Sequence, residues 1–358
     1  MRLRNFAVIS ALIIVAVTGW AAVDQAQLTN AKVIERSAKA GFQATIEQIV
    51  NTEKGPVWIG YSVPAIPGEH HICCNNWAHD LGSCCGTCRL DGRDHGVSFG
   101  AQAGACKATL AATFFIFIRF EDASMTQVRT FSPDCTIDAA SSTIYWLQDV
   151  EPAQSVAYLE SGLKQGESRR EGDEIVSAIA LHDGTQATAA LEKLVQPGQP
   201  SQLRGHAAFW MGSTRGAHGL DVLLKLIPSD QDGEFLEQAV FAISQSSEHD
   251  RAFDELIRLA RKDPRHDVRE HSLFWLAQEA GKKAAGTITD AIENDPDTDV
   301  KKKAVFALSE MPREEGVPLL IDQARKNRNP VVRKEAIFWL GQSEDPRALD
   351  FITSILEH

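Results

Sequence analysis

Cysteine offers this chain most of its chemistry, and all seven cysteines stand between positions 73 and 135: Cys73, Cys74, Cys84, Cys85, Cys88, Cys106 and Cys135. His70, His71, His79 and His95 fall in the same stretch. Disulfides would pair Cys73 or Cys74 with one of Cys84, Cys85 and Cys88, and Cys106 with Cys135 across a hairpin. Seven is odd, so at least one thiol is left over. Zinc is the metal these residue types fit, since it takes four thiolate or imidazole ligands. The pair Cys85 and Cys88 makes a single CxxC knuckle, however, and no second knuckle completes a tetrahedral set.

Thiol exchange is the third chemistry. Cys85-Gly86-Thr87-Cys88 looks like the CGxC of thioredoxin-like oxidoreductases, where a helix N-terminus lowers the first thiol's pKa. Arg89-Leu90-Asp91-Gly92 reads as a turn, so the helix is missing, and Arg89 in place of histidine excludes haem attachment. Elsewhere there is no HExxH, GxSxG, Walker-type GK[ST], or GxGxxG after a strand. Outside the Cys/His-rich loop, spanning 70–104, nothing calls for a cofactor.

The elements that must position these residues read as a Cys-rich α+β domain over 23–160. Segments 32–38 and 57–63 pattern as strands around a helix at 41–52. Segments 108–120 and 126–132 form a hairpin across Glu121-Asp122-Ala123-Ser124, and 143–147 is another short strand. Residues 70–104, rich in Gly, Cys, His and Asp, show no period and read as a long loop.

Residues 1–22 set the compartment. Arg2 and Arg4 precede an apolar run over 6–20, and Gly19, Ala21 and Ala22 close it, which is the order of a secretory signal peptide. The run is shorter than the ~20 residues that span a bilayer comfortably. The expectation is export to a periplasm or cell envelope, with N-terminal anchoring if the signal stays uncleaved. An oxidising compartment favours disulfides among the cysteines. No later segment is long and apolar enough to span a membrane. The net charge of −12 leaves no uncompensated basic surface for nucleic acid.

From about 170 to 358 the sequence repeats. Phe209, Phe241, Phe274, Phe306 and Phe338 are separated by 32, 33, 32 and 32 residues. Six positions before each stands an apolar residue: Leu203, Phe235, Val268, Val300 and Val332. The next column is basic at Arg204, Arg269, Lys301 and Arg333, with Leu236 the exception. Each unit holds a first helix with one buried stripe (Val268, Ser272, Trp275, Leu276) and a second helix anchored at Leu223, Leu256, Ile288, Leu320 or Ile352. Asp263-Pro264, Asp295-Pro296 and Asn329-Pro330 mark first-helix starts. About six helix pairs result, each completing its core only by stacking on neighbours.

The pattern V-[RK]-x-x-[AS]-x-x-x-L at 268–276, 300–308 and 332–340 resembles the HEAT-like repeats also found in bilin lyases. That resemblance implies an α-solenoid acting as a binding surface. Export and the lack of a recognisable tetrapyrrole site argue against a lyase. Residues 58–64, the Cys73-Cys74 pair and 131–135 are similar to exported bacterial HEAT-repeat proteins, a likeness that brings no activity with it.

After each phenylalanine the residue alternates: Trp210, Ala242, Trp275, Ala307, Trp339. Large against small in successive layers reads as core packing, with an aromatic ligand box as the alternative. His206 and His271 read as surface or interhelix groups. Two residues after each second-helix anchor stand Lys225, Arg258, Asp290, Asp322 and Ser354. Placed on the concave side, the first four would grade from basic to acidic and suit an extended protein partner. The expectation is therefore a protein-binding or scaffolding protein without catalysis. A redox or metal-dependent activity in 70–104 is the alternative.

Overall fold

The computed structural model describes residues 26–68, 71–73, 76–78, 87–91, 112–133, 135–163, 169–278 and 282–357. Its N-terminal part contains β1 (Gln27–Thr29), β2 (Lys32–Ser37), α1 (Phe42–Thr52), β3 (Val57–Pro64), β4 (His71–Cys73), β5 (Asn76–Ala78), β6 (Thr87–Arg89), β7 (Thr113–Glu121), β8 (Ser124–Phe131), β9 (Thr136–Asp138) and β10 (Thr143–Gln148). Five strands form one sheet in the order β2-β10-β3-β7-β8, parallel from β2 to β3 and antiparallel beyond. The β7–β8 turn has positive φ at both Asp122 and Ala123, as a two-residue hairpin turn requires.

Strand β7 reads Thr-Phe-Phe-Ile-Phe-Ile-Arg-Phe-Glu, apolar on both faces, because the sheet is covered on both sides. Phe114, Ile116 and Ile118 pack with Ile59 and Tyr61 against Phe42 and Ile46 of α1. Phe115, Phe117, Trp58 and Trp146 pack the other way, against Leu90, Cys88, Cys135 and Ile137. A small parallel sheet, β1-β9-β6, carries that second layer. Gly60 is required there: a Cβ would stand 2.7 Å from the Phe117 ring.

The segment 70–104, expected to be one loop, thus contributes β4, β5 and β6. Each is three residues long, too short to show a period. Strands β1 and β9 escape the sequence for the same reason.

Helix α2 (Pro152–Gly162) leads into six helix pairs among the described residues. They are α3 (Arg169–Leu181) with α4 (Thr185–Leu194), α5 (Ser201–Thr214) with α6 (Gly216–Leu226), α7 (Gly233–Ser244) with α8 (His249–Lys262), α9 (His266–Gln278) with α10 (Lys282–Asn294), α11 (Thr298–Glu310) with α12 (Arg313–Lys326), and α13 (Pro330–Gln342) with α14 (Pro346–Leu356). The α-solenoid follows directly from the sheet. Helix α3 packs on β8, and Glu174 accepts the edge-strand N–H of Val128 at 3.1 Å. One hydrophobic core runs from α1 and the sheet into the last pair.

The first-helix starts differ from the Asp-Pro reading at two places. Asn329 caps α13, accepting from the Val331 N–H, with Pro330 in the first turn. Asp263 and Asp295 instead close turns ahead of the helix, accepting from Arg265 and Asp297, and Asp297 is the cap of α11. Two residues separate each aspartate from its helix, so its side chain serves the loop.

Candidate protein-binding face

The pairs stack so that first helices (α3, α5, α7, α9, α11, α13) form one row and second helices the other. Neighbours in the first row contact one another far more extensively than neighbours in the second. Small residues allow it. At Gly212 of α5 a Cβ would stand 2.2 Å from the Ala242 carbonyl oxygen of α7, and at Gly205 it would stand 2.7 Å from Gln238 Cγ. The first-helix row is therefore the closer-spaced of the two.

The repeating aromatics lie on this row and touch in sequence. Phe209 stacks on Phe241 with centroids 5.7 Å apart, and Phe241 meets Trp275 at 4.6 Å. Phe274 stacks on Phe306 at 6.1 Å, and Phe306 meets Trp339 at 4.8 Å. Trp210 is buried, but Phe209, Phe241, Phe274, Trp275, Phe306 and Trp339 are only half-buried, and Phe338 at the end is 53 % exposed. The alternation of tryptophan and alanine does fit each layer to the next. The same rings also form a continuous, partly accessible apolar stripe along five units.

The charged side chains of this row change in balance along it. Asp173, Glu234, Glu237, Asp267 and Glu270 lie on α3, α7 and α9, whereas α11 and α13 carry Lys302, Lys303 and Lys334 together with Asp299 and Glu335. Burial pushes the Glu270 carboxyl up from its ordinary range, against the opposing charge of Lys303. Burial likewise pushes His206 down. Trp210 Nε1 donates to His206 Nε2 at 3.0 Å, which puts the imidazole proton on Nδ1, facing Asp173 at 3.9 Å. His271 similarly stands 3.9 Å from Glu237.

Lys225, Arg258, Asp290 and Asp322 all lie on second helices, the wider-spaced row, and not on the row that carries the aromatic stripe. Three of the four sit in surface ion pairs: Arg258 with Glu255 at 2.6 Å, Asp290 with Arg261 at 3.6 Å, and Asp322 with Lys326 at 2.5 Å. Lys225 is exposed, and the Ser354 hydroxyl donates to the Phe351 carbonyl.

The basic column is structural. Arg204, Arg269, Lys301 and Arg333 donate to the carbonyls of Val195, Asp263, Glu293 and Asn327, at or just past the end of the preceding second helix. Helix ends leave such carbonyls unpartnered, and these cations satisfy them. Where the column holds Leu236, Arg265 reaches back from the next unit to Ile227 O and Asp230 O, both at 2.9 Å. Arg269 also makes a two-pronged pair with Asp295 at 2.8 and 3.0 Å.

Cys88 and Cys135 are buried and disulfide-bonded. The side chains of Cys73, Cys74, Cys84, Cys85 and Cys106 lie outside the described residues, as do His70, His71, His79 and His95. Cys88 sits within strand β6, so the helix that activates a CxxC thiol is absent from this position. No cluster of three or more metal-ligating side chains occurs among the described residues.

One nucleophile-and-base pair does form at the seam between sheet and array, and sequence patterns gave no sign of it. Tyr61 OH and Ser155 Oγ are 2.9 Å apart, Ser155 Oγ and His182 Nε2 are 2.9 Å apart, and His182 Nδ1 donates to Ala178 O at 2.8 Å. All three side chains are fully buried. Burial raises the Tyr61 pKa and holds His182 down to about 4. No substrate reaches such a pair. It locks β3, α2 and α3 together, and Arg215 completes the joint by donating to Ala180 O and His182 O.

The model of the HEAT repeat family matches residues 287–358, the stretch holding α11 to α14 and most of α10. That stretch consists of HEAT-like repeats. Human deoxyhypusine hydroxylase, solved in complex with glycerol, is similar to the HEAT-like chain at 17 % identity. The match covers 56 % of this chain and 77 % of that one, with a TM-score of 0.25. No curated protein matches the sequence. HEAT repeats generally mediate protein interaction or scaffolding. No helix among the described residues is long and apolar enough to cross a membrane.

Proposed function

We propose that this HEAT-like protein is an exported, non-catalytic scaffold that binds an extended protein segment along its first-helix row. The observation that carries the reading is the aromatic stripe from Phe209 to Phe338, half-open along its length, on a row whose charge is acidic on α3 to α9 and gains lysines on α11 and α13. Aromatic rings in a charged rim are what binding hot spots are made of. A partner of matching pattern presents basic residues toward α3 to α9 and acidic residues toward α11 and α13. Export rests on the residue order of 1–22 and agrees with disulfide-bonded Cys88 and Cys135.

The test is co-purification of the native partner, quantified by mass spectrometry. Glu237→Lys and Lys303→Glu should each lower its yield at least tenfold. Lys225→Glu, Arg258→Glu, Asp290→Lys and Asp322→Lys should leave it within about twofold. The reverse ranking contradicts the choice of face. Mass analysis of the exported protein checks the signal, and a chain retaining residues 1–22 in the cytosol would contradict export.

A further inference from the structure

The acidic end of the first-helix row opens into a cavity of about 290 Å³ between α3, α5 and α7. Its lining includes Asp173, Gly205, His206, Phe209, Glu234 and Phe241. Two features make it a receptor for charge. Asp173 and Glu234 are carboxylates, and the described lining holds neither lysine nor arginine. His206 adds no cation, because Trp210 donates to its Nε2 and burial holds its pKa down. Phe209 and Phe241, stacked within 14° of parallel, form the aromatic wall.

The array contains its own comparison, two units along. Adding 65 to each position gives Asp267, Glu270, His271, Phe274, Asp299, Lys303 and Phe306 as counterparts of Gln202, Gly205, His206, Phe209, Glu234, Gln238 and Phe241. The second stacked pair, Phe274 on Phe306, is the same rung. There a half-buried Glu270 stands at the Gly205 position, and Lys303 supplies a positive charge that acts on it. At the first rung the stacked rings and the carboxylates remain, but position 238 is a neutral glutamine packed against Gly205, so no cation comes from within.

The geometry points to this cavity as the acceptor for a cationic side chain of the partner, which brings to the first rung the charge that Lys303 supplies at the second. This rests on the first-helix row being the binding face. Charge attraction to two carboxylates and contact with aromatic walls supply the recognition.

The test uses the full chain, with the blocked peptide acetyl-Gly-Lys-Gly-amide as probe and its Nε-acetylated form as the neutral control. The readout is the indole N–H signal of Trp210 in NMR, since that group touches His206 on the cavity wall. A saturable shift with the lysine peptide, little with the acetylated one, and at least a tenfold weaker response in Asp173→Asn/Glu234→Gln are expected. Equal shifts from both peptides, no shift at all, or a shift unchanged in the double variant overturns the assignment. If the peptide fails while Glu237→Lys still abolishes partner capture, the cavity assignment falls and the binding face stands. If both fail, the face falls too.

Discussion

The first-helix and second-helix rows share one repeat and one core, yet they differ in what they leave open. The first row is close-packed through Gly205, Gly212 and small neighbours, and it leaves a run of rings half-exposed. The second row is wider-spaced, and charges such as Arg258 and Asp322 are held in local pairs on its surface. Charge on a helix surface is thus a poor guide to function by itself. A continuous apolar stripe beside charge is a better one.

The largest contrast is in stability. Arg269→Ala removes a cation from the buried pair with Asp295 and from the carbonyls of the preceding unit, at a cost of about 3 kcal/mol. Arg258→Ala on the second-helix row removes an exposed pair worth at most about 0.5 kcal/mol. Equal losses in urea denaturation would erase the distinction between stapling and decorative charge.

Gly212→Ala comes next. Its Cβ meets backbone rather than a side chain that can swing aside, so α5 and α7 must separate, at about 2–3 kcal/mol. Gly286 of α10, with nothing within 4 Å of a new Cβ, should gain about 0.5 kcal/mol as alanine. A tolerated Gly212→Ala would mean the first-helix row is not held at its present spacing.

The joint between array and sheet adds a pH effect. Unfolded histidine takes up a proton below pH 6.5, whereas folded His182 stays neutral until about pH 4. Acidification between those values therefore favours the unfolded chain. Stability should fall by about 2 kcal/mol from pH 7 to pH 5, and His182→Gln should lose that part of the fall. An unchanged pH slope in the variant contradicts a neutral, buried imidazole.

The repeat was legible because its columns are chemically constant: phenylalanine at each rung, an apolar residue six before it, a cation next. The N-terminal strands β3, β7 and β10 were legible from their apolar runs. Which row is the more closely packed was not, because that turned on glycines with no pattern of their own. The seam of Tyr61, Ser155 and His182 joins residues 27 to 121 positions apart, a spacing that no local motif marks. The cysteine-rich segment stayed ambiguous for a related reason, since spacing alone does not say which thiols meet.

Placing a photo-crosslinking residue at Gln238 on the first row and at Lys225 on the second, in otherwise native protein, tests the account most directly. A single partner adduct from position 238, with cross-linked peptides rich in basic residues, and no adduct from position 225 is the predicted result. Adducts of equal yield from both rows, or from position 225 alone, would contradict the first-helix face as the binding surface.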